Sequence, residues 1–113
     1  MTVESSKLEN AVLIKVSGRL DAENTGRFEQ ACTSGLETGT SHLIVDVSEL
    51  EYVSSMGLRS FLSAAQALQK KGGAMMLCGL HGLPKQVFEM TRLIGLFPLH
   101  DSTEKAVAAI SHG

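Results

Sequence analysis

Along the chain, short β-branched apolar runs alternate with longer stretches in which apolar residues recur at helical spacing. Val12-Leu13-Ile14-Lys15-Val16 is apolar and closes on Ser17-Gly18, which predicts a strand ended by a turn. Residues 3–8 predict a weaker strand, paired with it through Glu9-Asn10. From Asp21 onward, Phe28, Ala31, Cys32, Gly35 and Leu36 are interleaved with Glu23, Arg27, Glu29 and Glu37, the pattern of an amphipathic helix stopped near Gly39. Leu43-Ile44-Val45-Asp46-Val47 is almost unbroken in its apolar character, which predicts a strand covered on both faces.

After a strand-like Tyr52-Val53 come Ser54-Ser55, and then Leu58, Phe61, Leu62, Ala65 and Leu68 form a helical stripe. Arg59, Ser60, Ser63, Gln66 and Lys70 fill the opposite face, and Lys71-Gly72-Gly73 ends the helix. Ala74-Met75-Met76-Leu77-Cys78 predicts a second buried strand, so this strand, helix and strand form a parallel, right-handed unit. A helix with Leu83, Val87 and Met90 on one stripe follows, then an extended piece over residues 96–99. A last helix after Asp101-Ser102-Thr103 carries Ala106, Val107 and Ile110.

With 113 residues, 43% hydrophobic and 19% charged, the composition fits one globular domain and excludes a disordered tail. Ten Lys+Arg against twelve Asp+Glu leave a net charge of −2, so no global positive field draws the chain to nucleic acid or to anionic lipid. The first residues lack a basic stretch followed by an apolar run, and no apolar stretch approaches the roughly 18 residues that span a bilayer. No membrane association and a cytoplasmic location are therefore expected.

Cys32 and Cys78 sit among apolar or small residues, the setting of reduced core thiols. No Cys-x-x-Cys exists and His81 is the nearest histidine to either cysteine, so no metal is expected. The histidines His42, His81, His100 and His112 are dispersed, each reading as a loop or element-end residue. Nucleophile elbows, phosphate loops and dinucleotide fingerprints are absent, so no catalytic residue is assigned and the chain is not read as an enzyme.

The informative stretch is the start of the central helix. Either serine hydroxyl can accept a bond from the free N–H groups of the first turn, which makes it a helix cap. The same N–H groups and the positive end of the helix dipole also favour a phosphate there, so cap and phosphoacceptor are compatible roles. Asp21 reads as a turn or cap residue opening the first helix. Leu58 fits the core stripe. Met56 falls off it, either as an adaptable binding residue or as a half-buried first-turn residue, and Arg59 is either a solvated charge or an interface residue.

Four segments, Gly18-Arg19-Leu20-Asp21, Leu43-Ile44-Val45-Asp46-Val47-Ser48-Glu49-Leu50, Tyr52-Val53-Ser54-Ser55-Met56-Gly57-Leu58-Arg59 and Gly72-Gly73-Ala74-Met75-Met76-Leu77-Cys78, occur in the order and spacing of the STAS domain. The resemblance spans essentially the whole chain, which looks like a stand-alone anti-sigma factor antagonist. It implies a single STAS-type domain over residues 1–113. The implied fold is α/β, a four- to five-stranded mixed sheet with about four helices packed mainly on one face and with Asp21 and Ser55 near each other at one end.

The serine two places before the glycine matches the family's phosphoacceptor, which places it at Ser55, with Ser54 as the alternative acceptor. Ser54 stands where the family commonly has Asp, and Met56 where it has a small residue. Asp21 matches the family's loop aspartate beside the phosphoserine. Asp21, Ser54, Ser55, Met56 and Arg59 form the implied partner-binding set. The implied partner is a GHKL-type serine kinase that also acts as anti-sigma factor. Phosphorylation ends the binding and a PP2C-type phosphatase restores it. ATP and Mg²⁺ belong to the kinase, so no cofactor is expected here. One competing reading keeps the fold without phosphorylation, as an accessory subunit of a transporter or sensory complex. Another, an enzyme or small-ligand binder, requires a convergent polar pocket that no motif announces.

Overall fold

The computed structural model describes residues 2–111. Its elements are β1 (Thr2–Lys7), β2 (Val12–Leu20), α1 (Thr25–Glu37), β3 (His42–Val53), α2 (Ser55–Gln69), β4 (Ala74–Cys78), α3 (Gly82–Met90), a 3₁₀ turn at Ile94–Leu96, β5 (Leu99–His100) and α4 (Thr103–Ser111). The strands form one mixed sheet in the order β1-β2-β3-β4-β5. β1 runs antiparallel to β2 with Lys7 opposite Val12, and Leu8 N–H donates to the Ala11 carbonyl (2.8 Å) across the Glu9-Asn10 turn. The other three pairs are parallel. The expected mixed sheet is thus present with five strands.

Alternation along the strands sorts the core into two layers. Val12, Ile14 and Val16 of β2 and Leu43, Val45 and Val47 of β3 face α1, α2 and α3, whereas Ile44, Met76 and Cys78 face Ala106 of α4. All four phenylalanines of the chain meet in the first layer. Phe61 lies 4.6 Å from Phe28, 5.4 Å from Phe88 and 6.3 Å from Phe97 between ring centroids, the last two edge-to-face. Such pairs add roughly 0.5–1.5 kcal/mol each beyond the area they bury.

β3 carries two bulges that decide where the next helix starts. Lys15 pairs with Asp46 but Ser17 with Glu49, and Gly18 pairs with Leu50 but Arg19 with Tyr52. Each step places one extra residue in β3, and each extra residue reverses which side chains face inward. Buried positions of β3 in the first layer therefore run Leu43, Val45, Val47, then Leu50, then Val53. The sheet period is restored just before Ser54.

Several expectations are corrected. α1 begins at Thr25, because residues 21–24 form a turn and not the first helical residues. Ser60, expected on the solvent face of α2, is buried, since its hydroxyl donates to Glu29 Oε1 of α1 (2.6 Å) and to the Met56 carbonyl (3.2 Å). On α3 the buried residues are Pro84 and Phe88, while Leu83 is 51% and Met90 82% exposed. The edge-to-face contacts of Phe88 with Phe61 and Phe97 set the rotation of that helix, which turns Leu83 and Met90 outward and leaves Val87 partly buried against the core. The extended piece expected over residues 96–99 shortens to a two-residue strand behind a 3₁₀ turn. Val107 lies on the outer side of α4. His42, His81 and His100 stand at the start of β3, before α3 and at the end of β5, and His112 lies outside the described residues.

Candidate functional site

β4 reaches only as far as Asp46, so the last part of β3 is paired with β2 alone and the two strands extend as a ribbon to the pair Leu20 and Val53. The Leu20 carbonyl then accepts the Ser54 N–H (2.9 Å), which pins the chain as it turns into α2. Ser54 is extended (φ −86°, ψ 173°), and its hydroxyl accepts the Gly57 N–H (3.1 Å) while its carbonyl accepts the Leu58 N–H (2.9 Å). Ser54 is therefore the helix cap. Ser55 is the first helical residue and is exposed.

Gly57 explains how the first turn can lie so close to the strand ends. A Cβ there would stand 2.8 Å from Val53 Cγ2 and 3.1 Å from the Leu20 carbonyl oxygen, closer than side chains pack. In the sequence this glycine is legible only as part of a motif, because the close approach involves a strand far away in the chain.

Asp21 follows Leu20 directly and so lies at the same end of the sheet as Ser54 and Ser55. Its Oδ1 accepts the Glu23 N–H (3.1 Å), and its own N–H donates to Asn24 Oδ1 (2.8 Å). Asn24 Nδ2 in turn donates to the Arg19 carbonyl (2.8 Å). Asp21 is a turn residue and Asn24 holds the cap position of α1, without a side-chain capping bond. The brace from Asn24 was missed in the sequence, although an Asp with an Asn three residues on is a usable turn signal. Beside Ser55, Met56 is 44% exposed and Arg59 is exposed, whereas Leu58 is buried in the core as its stripe position requires. The bond from Ser60 to Glu29 ties this turn of α2 to α1.

Other chemistry is muted. Burial, with Glu29 nearby, pushes the Cys32 thiol up to about 12, and burial with Asp46 nearby pushes Cys78 up to about 11, so both are protonated at neutral pH. Neither is a nucleophile under those conditions. Among the described residues no group of three or more His, Cys, Asp or Glu side chains could hold a metal ion, and no helix is long and apolar enough to cross a membrane. A cavity of about 600 Å³ between residues 7–11 and residues 38–42 lies at the end of the sheet away from Ser55.

The profile of the STAS domain family matches residues 2–106. The chain belongs to the STAS domain family. Bordetella bronchiseptica BtrV is 28% identical to it over 109 residues, covering 96% of this chain and 94% of BtrV. The Staphylococcus aureus anti-sigma-B factor antagonist is 25% identical over 104 residues, covering 92% of this chain and 96% of that protein. The unphosphorylated form of SpoIIAA superposes with a TM-score of 0.86 at 17% identity, over 99% of this chain and 98% of that one. The phosphorylated form of the same Bacillus protein gives 0.78 at 18% identity, over 96% and 99%. The fold is thus shared with these proteins over nearly the full chain.

Proposed function

We propose that this STAS protein is an anti-sigma factor antagonist working as a phosphorylation-controlled binding module, with no catalysis of its own. The unmodified chain docks on an anti-sigma factor of the GHKL-type serine kinase class through Asp21, Ser54, Ser55, Met56 and Arg59. The kinase transfers the γ-phosphoryl group of ATP to the Ser55 hydroxyl, releasing ADP, and a PP2C-type phosphatase hydrolyses the phosphoserine and resets the switch. All of this takes place in the cytoplasm. The observation that carries the reading is the division of labour between the two serines: Ser54 has its hydroxyl engaged as the cap, while Ser55 is exposed. The name of the Staphylococcus relative and the two forms of SpoIIAA support the same reading.

A phosphate adds about −1.5 to −2 charge and three acceptor oxygens. Placed on the first turn it changes the charge of the docking face without disturbing the Phe61 cluster beneath. Intact-mass measurement after incubation with Mg-ATP and the cognate GHKL-type kinase should show one added phosphate, lost in Ser55→Ala and kept in Ser54→Ala. No added phosphate, or one that survives Ser55→Ala, overturns the assignment.

A further inference from the structure

Three observations converge on Arg59. It lies four residues beyond Ser55 in α2 and both are exposed, a spacing that puts two side chains on one helical face with Cβ atoms about 5–6 Å apart. Of the backbone donors at this helix start, Ser54 N–H is taken by Leu20, Gly57 N–H by the Ser54 hydroxyl and Leu58 N–H by the Ser54 carbonyl. The N–H groups of Ser55 and Met56 remain, two donors against three phosphate oxygens, which leaves room for a side-chain partner. Lys15 pairs with Glu49, Lys105 with Asp101, and Arg19 lies over the Tyr52 ring, whereas among the described residues Arg59 has no acidic side chain within ion-pair distance.

We propose that Arg59 is the internal receptor for a phosphate on Ser55, closing on it across one turn of α2. The planar guanidinium can give two parallel N–H bonds to phosphate oxygens, a geometry that a lysine ammonium does not reproduce. Modification then acts twice on the docking face, by adding negative charge and by withdrawing Arg59 from any partner that used it. This rests on the reading of Ser55 as phosphoacceptor.

The test builds phosphoserine into position 55 of the full chain during synthesis, so that no kinase is needed, and follows its second ionisation by ³¹P NMR. That ionisation ordinarily lies near pH 6. The expected result is a value lower in the otherwise unaltered chain than in Arg59→Gln by about one unit, the lower end of the shift that an opposite charge within about 4–6 Å produces. Arg59→Lys, which keeps the charge, should recover at least part of the difference. Equal values with Arg59 and with Arg59→Gln overturn the pairing, and so does a shift that Arg59→Lys does not recover at all, since that would trace to the fold and not to the charge. A kinase that leaves Ser55 unmodified would appear in the mass experiment instead and would overturn the phosphoacceptor reading, not the pairing.

Discussion

Phe61 and Ser55 stand on one helix in opposite surroundings. Phe61 is fully buried, with three other phenylalanine rings around it, whereas Ser55 is exposed and its neighbour Ser54 provides the cap. The middle of α2 holds the helix layer to the sheet. The first turn carries the surface chemistry. On the proposed reading, separating the two lets the charge of the docking face change while the packing beneath it stays the same, which is what a reversible switch on a small domain requires. The join between them is Gly57, seated against Val53 and Leu20, together with the Ser54 cap.

The largest effect should come from the buried end of the comparison. Phe61→Ala removes the ring shared by three aromatic contacts and should cost about 3–5 kcal/mol, out of the roughly 5–15 kcal/mol that a domain has in total, as read by urea denaturation. Next, Gly57→Ala tests whether the first turn is as loosely coupled to the core as its exposure suggests. The added methyl meets Val53 and a backbone carbonyl, so a loss of about 1–3 kcal/mol is expected, and a neutral result would mean that the helix start can lift off the sheet. Ser54→Ala should cost about 0.5–2 kcal/mol in thermal melts, and Ser54→Asp should restore most of it because Asp also caps.

Ser55→Ala comes last, with a change in stability of no more than roughly 0.5 kcal/mol, because the cap belongs to its neighbour. Its effect should appear in binding: by calorimetry Ser55→Ala binds the kinase and is not released by ATP, while Ser55→Asp binds more weakly than Ser55→Ala. Equal affinities for the two variants would remove Ser55 from the switch. A stability loss at Ser55 as large as that at Ser54 would erase the distinction between the serines.

Comparison of α2 with α3 shows what was legible in the sequence. In α2 the stripe Leu58, Phe61, Leu62, Ala65 and Leu68 is legible from its spacing, and all of it is buried except the half-buried Leu62. In α3, Leu83, Val87 and Met90 also make a stripe, but Phe88 off that stripe is larger and finds two aromatic partners, and the helix turns to bury it. Apolar count competes with ring size, and only the tertiary contact decides. Ser60 was misplaced for a related reason, as its partner Glu29 lies on another helix.

At the site, the choice of cap between Ser54 and Ser55 was not legible because it depends on where β3 ends. That end is set by two bulges against β2 and by the bond from Ser54 to Leu20, neither of which leaves a local signature. The position of the site was legible nonetheless, since strand, serine pair and amphipathic helix follow one another directly in the chain.

The stacking of Arg19 on Tyr52 has a practical side. The chain has one tyrosine and no tryptophan, and that tyrosine lies two positions before the cap, with the Arg19 guanidinium 4.3 Å from its ring centre. Excited in the tyrosine band, the molecule therefore emits from a single place, beside the docking end, while the buried phenylalanines stay dark. A partner that shields the ring from water or draws Arg19 away alters the brightness of that emission. The protein thus carries its own optical label where it is needed, and a titration against a partner that lacks both tyrosine and tryptophan can be followed without attaching a dye.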